Sequence, residues 1–500
     1  MYTVKSLEAY FSTFRANIVG QRVFFDTPFG RKRMLYADWT ASGRAYRPIE
    51  MELLDRVLPF FGNTHTETTV TGMRMSVAYE EAKRVIREHV HGGEEDVLLF
   101  CGSGMTSAVN KLQRILGMRV AEGAAQPVAD RERAADLRED QRPLVMVTHM
   151  EHHSNHISWL ETNATVVVIP PDENGDVDLG WMRATLERYR TRRVKIAAVT
   201  ACSNVTGIET PYREIARVIH EYGGWCFVDF ACSAPYVEID MHPGDGADPD
   251  GDEADRGDAA DLDAIYFSGH KFLGGPGTPG VLIFSRKLYG NRVPDQPGGG
   301  TLLYSNPWGG REYFEDIELR EDGGTPPVLQ GIKAGLCIRL KEEMGVTPMR
   351  EREAEMVGRL MERLISTAGV DVLAVNHRER LGVISFTVEG MHYDSVVKLL
   401  NDRFGIQARG GCSCAGTYGH YLLCIDRLRS EAIREALLKG EMQSKPGWVR
   451  LSLHPTMTDD EIDYIADAVK IVATKYGEWE KPYVREQGER VRITCPVPWI

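Results

Sequence analysis

The chain reads as an α/β protein: a mainly parallel sheet flanked by helices, followed by a smaller C-terminal α+β domain. Three observations predict this. Short apolar runs alternate with helical patterns through the first half of the 500 residues, as strands buried on both faces require. Several of these runs lead through a tight polar or glycine turn straight into a helix. After about residue 320 the texture changes, at the glycine/proline cluster EDGGTPP, to amphipathic helices and separate strands.

Residues 74–91 (RMSVAYEEAKRVIREHVH) form an amphipathic pattern with Ala78, Ala82, Val85, Ile86, His89 and Val90 near one face. VLLF (97–100) is a short apolar strand, and CGSGMTSAVNKLQRIL after it is a glycine turn opening a helix. The unit recurs: LVMVTH (144–149) runs into HHSNHISWL, and KIAAVT (195–200) leads to the helix REIARVIHEYG. WCFVDF (225–230) is a further buried strand. In the C-terminal part, 351–367 is a helix whose apolar face carries Met356, Val357, Leu360, Met361, Leu364 and Ile365. GVISFTV (382–388) and WVRLSLH (448–454) read as strands, YDSVVKLLNDRFG as a helix with strand-like IQAR beyond it. Thr458 and Glu461 have the spacing of a capping box for the last long helix. The expected division is an N-terminal arm over 1–35, a large domain over 36–325 and a small domain over 326–500. Segments 118–142 and 244–263, the latter strongly acidic, read as solvated insertions.

Formal net charge is −13, from 72 acidic and 59 basic residues, which argues against a general nucleic-acid binder. No window reaches the roughly 18 consecutive apolar residues of a membrane helix, and the N-terminus lacks a compact signal-peptide core. The nine cysteines are odd in number and irregularly spaced, so reduced thiols and a cytoplasmic location are expected.

The chemistry centres on FSGHKFLGGPGTPG (267–280). Lys271 follows a strand-like run and precedes glycines, with Ser268 and His270 as anion-binding neighbours. Asp229 ends the strand WCFVDF, where open α/β sheets place ligand groups. A lysine at one strand end, with a carboxylate ending a strand upstream, suits a Schiff base with pyridoxal 5'-phosphate (PLP). The cofactor's pyridine nitrogen wants a carboxylate, and its phosphate wants a helix N-terminus and hydroxyls. Gly104, Met105 and Thr106, in the turn GSGMT, answer the second demand. That turn lacks the lysine of a P-loop and the full G-x-G-x-x-G of a dinucleotide site.

MEHHSN (150–155), SNVTG (203–207), VDFACSAP (228–235) and SGHKFLGGPGTPG (268–280) together resemble the class V aminotransferase family. These are fold-type-I PLP enzymes that include cysteine desulfurases and selenocysteine lyases. The resemblance extends in order from YADWTASG (36–43) to WVRLSLHP (448–455). It implies that Lys271 carries the cofactor and shuttles protons at the substrate Cα, and that Asp229 pairs with the pyridine nitrogen. His152 would stack on the ring, with Ala231 against its other face, and Asn204 would lie near the ring oxygen and the substrate carboxylate. Thr106, Ser268 and His270, with the amides near Gly104 and Met105, would hold the phosphate; Arg450 would clamp the substrate carboxylate. The family's desulfurases usually carry Gln three residues after the aspartate; here Cys232 stands there.

Cys414, in RGGCSCAGTYGH, aligns with the desulfurase nucleophile and follows Arg409 at the family's interval. Arg409 is expected to favour its thiolate. Cys412 and Ser413 stand where many relatives have two histidines. GGGT (298–301) resembles the segment that reaches the partner subunit's phosphate, which makes Thr301 a candidate and a homodimer the expected assembly. The implied function is removal of sulfur from L-cysteine, giving alanine and a Cys414 persulfide for a sulfur-acceptor protein. An aminotransferase, epimerase or other lyase of the same family is the alternative. A non-enzymatic sulfur- or metal-binding protein ranks below it, because the lysine, aspartate and phosphate-binding set is intact; Cys412, Cys414 and His420 do not make four zinc ligands.

Overall fold

Alternation of side chains along the apolar runs decides the architecture. The computed structural model describes residues 6–64, 66, 68–119, 141–244 and 260–483. Most of the two expected insertions therefore lies outside the described residues. A hairpin of β1 (Phe24–Thr27) and β2 (Gly30–Arg33) is followed by β3 (Leu35–Tyr36). The large sheet contains β4 (Asp96–Cys101), β5 (Leu144–Thr148), β6 (Thr165–Ile169), β7 (Lys195–Thr200), β8 (Trp225–Asp229), β9 (Ala264–Ser268) and β10 (Gly280–Ser285). Its order is β4-β10-β9-β8-β7-β5-β6, and β10 alone runs antiparallel to its neighbours. Successive residues feed opposite cores. Leu98, Met146, Val199, Val228 and Ile265 pack on one face, and Leu99, Val147, Ala198, Phe227 and Tyr266 on the other. At about 1.5–3 kcal/mol for each fully buried large apolar side chain, this double-sided burial is the main force holding the strand ends together.

A second hairpin, β11 (Leu302–Ser305) and β12 (Arg311–Tyr313), precedes the C-terminal part. There β13 (Val370–Val372), β14 (Val383–Val388), β16 (Arg409–Gly411) and β17 (Trp448–Ser452) form an antiparallel sheet of order β13-β14-β17-β16. Between them in sequence, β15 (Ile406–Gln407) pairs in parallel with β3, tying the start of the chain to this part. The capping box forms reciprocally: the Glu461 amide donates to Thr458 Oγ1 at 3.1 Å and the Thr458 amide to Glu461 Oε2 at 3.2 Å.

Some expectations need correction. The helix expected over 74–91 spans Val70–His89, starts on a Thr69 cap, and buries Met75 and Tyr79 as well. The helix Val328–Met344 carries no one-sided stripe in the sequence because it is buried on most sides, with its glycines packed close to Ala82, Tyr79 and Phe100. The end of the acidic segment is built into the fold: Leu262 is buried, and Asp263 accepts from the Cys226 amide at 2.8 Å. Within 1–35, the helix Leu7–Ala16 buries Phe11 and Phe14, and Glu8 accepts from the Asp459 amide at 3.0 Å.

Candidate active site

The strand ends of the large sheet meet the small sheet, and the polar residues cluster at that seam. Gly102 adopts φ +47° after β4, and the helix Met105–Ile115 begins at Gly104 with no side-chain cap. Of its first amides, Met105 N–H donates to Ser268 Oγ at 2.9 Å and Ser107 N–H to Gly104 O at 3.1 Å, and no N-cap side chain serves the turn. A Cβ on Gly280 would come within 2.3 Å of Gly104 O, so the turn packs this closely only without side chains. Thr106 Oγ1 lies 2.7 Å from Ser154 Oγ. Uncapped amides beside hydroxyls and His270 are an anion site in the making.

Lys271 stands on a single 3-10 turn, Gly269–Lys271, directly after β9. The backbone there is clamped: Gly43 N–H donates to His270 O at 2.9 Å, and a Cβ on Gly43 would lie 1.9 Å from Phe272 O. Burial lowers the Lys271 amine, as do the charges of Arg450 and Arg409, while Cys232 and Asp229 oppose them. Asp229 closes β8, and its Oδ1 accepts from the Ala231 amide at 2.8 Å. Burial pushes it up to about 6, against that hydrogen bond and the Lys271 charge. His152 caps the helix His153–Leu160 by accepting Ser154 N–H on Nδ1 at 3.2 Å, so the neutral ring carries its proton on Nε2. Burial, then Lys271, depresses it to about 3.

Three groups beside these carried no chemical assignment in the sequence. Asp38 joins the two arginines: Arg409 donates to it through Nε at 3.1 Å and Nη2 at 2.9 Å, and Arg450 Nη2 reaches Oδ1 at 3.0 Å. Arg450 also donates to Asn204 O at 2.9 Å, and its buried Nε has no partner. Arg409 is thus committed to Asp38 rather than free to act on Cys414 alone. Only the position of Asp38 inside YADWTASG hinted at it. Glu151, the second, ties strand ends together by accepting from Thr148 Oγ1 at 2.6 Å, Thr200 N at 2.8 Å and Asn155 Nδ2 at 2.8 Å. Burial nevertheless pushes it up to about 8. His153, the third, holds the cysteine loop. Its amide donates to Cys414 O at 2.6 Å, and its Nε2 accepts from Gly416 N–H at 2.8 Å. Asn204 Nδ2 donates to Ser413 O at 2.8 Å, while its buried Oδ1 is unpartnered. Ser413 and Cys414 both lie in the left-handed region, at φ +50° and +56°. Two such non-glycine residues in a row are strained by about 1–3 kcal/mol each.

One cavity of about 400 Å³ is lined by Gly104, Met105, Thr106, His152, Asn204, Asp229, Ala231, Cys232, Ser268, His270, Lys271, Arg409, Cys414 and Arg450. Thr301 is the exception among the expected residues. It is fully buried within its own protomer and turns its hydroxyl to Gly298 O at 2.7 Å, away from the cavity. His420 is likewise engaged elsewhere, with Gly416 O at 2.7 Å and Ser430 Oγ at 2.8 Å. A wider groove of about 1280 Å³ near Arg15, Arg33 and Glu461 contains none of these residues.

The donor set fits pyridoxal phosphate. An uncapped helix start with hydroxyls lies on the same wall as a buried carboxylate with one protein donor, and unpartnered Arg450 Nε and Asn204 Oδ1 remain for a substrate. The volume is in the usual range for small-molecule sites, roughly 300–1,000 Å³.

Known proteins share the sequence pattern and the fold. The aminotransferase class-V family profile matches residues 35–465. A probable cysteine desulfurase from Halalkalibacterium halodurans is 27% identical over 390 residues, covering 76% of this chain and 84% of the relative. One from Staphylococcus epidermidis is 27% identical over 389 residues, covering 77% and 84%. The solved structure of a cysteine desulfurase from Thermococcus onnurineus superposes with a TM-score of 0.68 at 21% identity, covering 88% of this chain and 95% of that one. The Escherichia coli cysteine desulfurase CsdA gives 0.66 at 19% identity, covering 93% and 98%. The fold is therefore that of the fold-type-I PLP enzymes, and the chain belongs to the class V aminotransferase family of PLP-dependent enzymes.

Proposed function

We propose that this enzyme is a cysteine desulfurase or selenocysteine lyase, which takes sulfur from L-cysteine and leaves alanine and a persulfide on Cys414. The observation that carries the reading is the shared cavity: Cys414 opens onto the same space as Lys271, Asp229 and Arg450. The names of the two relatives above, both probable cysteine desulfurases, support it.

Bound pyridoxal phosphate supplies an aldehyde for amines and a ring that accepts electrons from the substrate Cα. Lys271, its amine lowered by burial, is the group for covalent attachment and for moving a proton at that Cα. Asp229 would hold the ring nitrogen; the helix start at Met105, with Thr106, Ser268 and His270, would hold the phosphate. His152 and Ala231 would enclose the ring, and Cys232 would stand near the ring oxygen. Arg450, steadied by Asp38, orients the substrate carboxylate, and Asn204 offers its free Oδ1 to the amino acid. Cys414 takes the substrate sulfur: the Cβ–S bond breaks, an S–S bond forms, and Cβ gains the hydrogen that completes alanine. The persulfide then passes to a sulfur-acceptor protein. The described cysteines are all free, in keeping with a cytoplasmic setting.

A panel of amino acids, assayed together for alanine, sulfide and keto acid, tests the reading. Cysteine with a thiol reductant should yield alanine and sulfide in equal amounts. Cys414→Ser should lower both by about 100-fold or more while the cofactor absorbance stays. Lys271→Ala should abolish borohydride trapping of the cofactor on the 267–280 peptide. Keto acid as the main product, or turnover indifferent to Cys414, sinks desulfuration and favours an aminotransferase, epimerase or other lyase. Cys232 in place of the usual Gln is the feature that favours that second reading.

A further inference from the structure

Two buried thiols share the cavity wall, and neither is needed for the sulfur chemistry assigned to Cys414. Cys202 follows β7 and Cys232 follows β8, and these strands are parallel neighbours with Thr200 opposite Asp229. The two loops are pinned together at their start by Ala201 N–H, which donates to Asp229 O at 2.9 Å. Both sulfurs point at one atom: Cys202 Sγ and Cys232 Sγ each lie 3.6 Å from Ser203 O. Both residues line the cavity, and both are otherwise closed to solvent. Any reagent reaching one thiol through the cavity therefore meets the other beside it.

We propose that Cys202 and Cys232 form a redox-active dithiol, which hydrogen peroxide entering the cavity oxidises to a disulfide. The roles are not equivalent. The charges of Lys271 and Arg450 favour the Cys232 thiolate, while burial pushes the Cys202 thiol up. Cys232 is accordingly the attacking sulfur. Its thiolate breaks the O–O bond, becomes a sulfenic acid, and one oxygen leaves as water after taking a proton. The Cys202 sulfur then displaces the hydroxyl from Cys232, giving the disulfide and a second water. Two thiol hydrogens and two electrons have then passed to one peroxide. A pair converging on one carbonyl needs side-chain rotation and a small loop shift to reach the S–S separation of about 2.05 Å. The linkage would lock the two loops that carry Asn204 and Asp229, and would remove the Cys232 thiol from the position beside the cofactor. This site stands apart from the desulfurase reading, since it makes no use of Cys414.

The test is disulfide mapping on the holoenzyme. Protein treated with stoichiometric hydrogen peroxide is denatured with an alkylating agent, digested without reductant and analysed by mass spectrometry. The expected result is a linked pair of peptides containing Cys202 and Cys232, two hydrogens lighter than their sum and lost on treatment with dithiothreitol. In Cys202→Ala the link should vanish, and Cys232 should be captured by dimedone as sulfenic acid. Exposed Cys414 serves as an internal control for delivery of the oxidant. If Cys414 is fully oxidised while Cys202 and Cys232 are both recovered as free thiols, the proposal fails. It fails equally if Cys232 is found linked to Cys414 or Cys412 instead.

Discussion

At the scale of single residues, Asp38 decides how the site presents positive charge. Without it, the guanidinium groups of Arg409 and Arg450, cross-strand neighbours on β16 and β17, would lie side by side with only Asn204 O to hold Arg450. Bridged by one carboxylate, they form a fixed fork with donors still free. Asp38→Ala is therefore expected to raise KM for the amino acid by about tenfold or more, with a smaller fall in kcat and cofactor content unchanged. Asp38→Glu should recover part of the loss, and steady-state kinetics of the two variants checks it. Asp229 makes a second prediction at this scale. Its folded value is raised to about 6, so the carboxylate proposed to meet the ring nitrogen is neutralised as pH falls through that value. Cofactor affinity should weaken below pH 6, and Asp229→Asn should bind weakly with a flat profile; absorbance titrations across pH 5–8 decide the matter.

At the scale of elements, the cysteine loop and the helix His153–Leu160 act as one unit. A Cβ on Gly416 would lie 2.9 Å from His153 Nε2, where Gly416 N–H now donates. Gly416→Ala should undock the loop, lowering turnover about tenfold and speeding proteolysis between residues 409 and 416. The helix Val346–Ile365 carries another consequence. Glu353 is buried, accepts one bond from the Gly382 amide at 3.2 Å, and leaves Oε2 unpartnered. Burial raises it to about 8. The folded state thus holds a proton that the unfolded chain has released above about pH 4.3. The stabilisation is fully present below that value and is lost as pH rises through about 8. Melting temperature should fall over this window, and Glu353→Gln should flatten the fall; thermal melts at several pH values test it.

At the scale of the molecule, the active site exists only because the two sheets meet. Gly207 sits at that seam with φ +74°, and a Cβ there would be 2.6 Å from Leu381 O. Leu381 N–H donates to Gly207 O at 2.8 Å, and Ser385 Oγ to Val205 O at 2.6 Å. Gly207→Ala combines a disfavoured backbone with a clash, so a loss of about 2 kcal/mol or more is expected in denaturant unfolding. Apolar side chains are exposed on the helix Val70–His89 and on the β11–β12 hairpin, notably Val77, Leu303 and Trp308 at 64%, 70% and 87%. They suit the expected homodimer, and sedimentation should give about twice the chain mass of 56.0 kDa. Full cofactor occupancy in a monomer would refute that assembly.

Local chemistry was legible in the sequence wherever a signal is written within a few residues. Strand runs such as KIAAVT, the GSGMT turn, the capping box at Thr458 and the lysine after β9 depend on neighbours in the chain, and so does the order of motifs that marks the family. The helix Val328–Met344 was not legible, because burial on most sides erases periodicity. Nor were the links that cross the seam: Asp38 to Arg409 and Arg450, His153 to the Cys414 loop, Cys202 beside Cys232. Each depends on the distance between atoms far apart in the chain, and only close packing of the two sheets sets such distances.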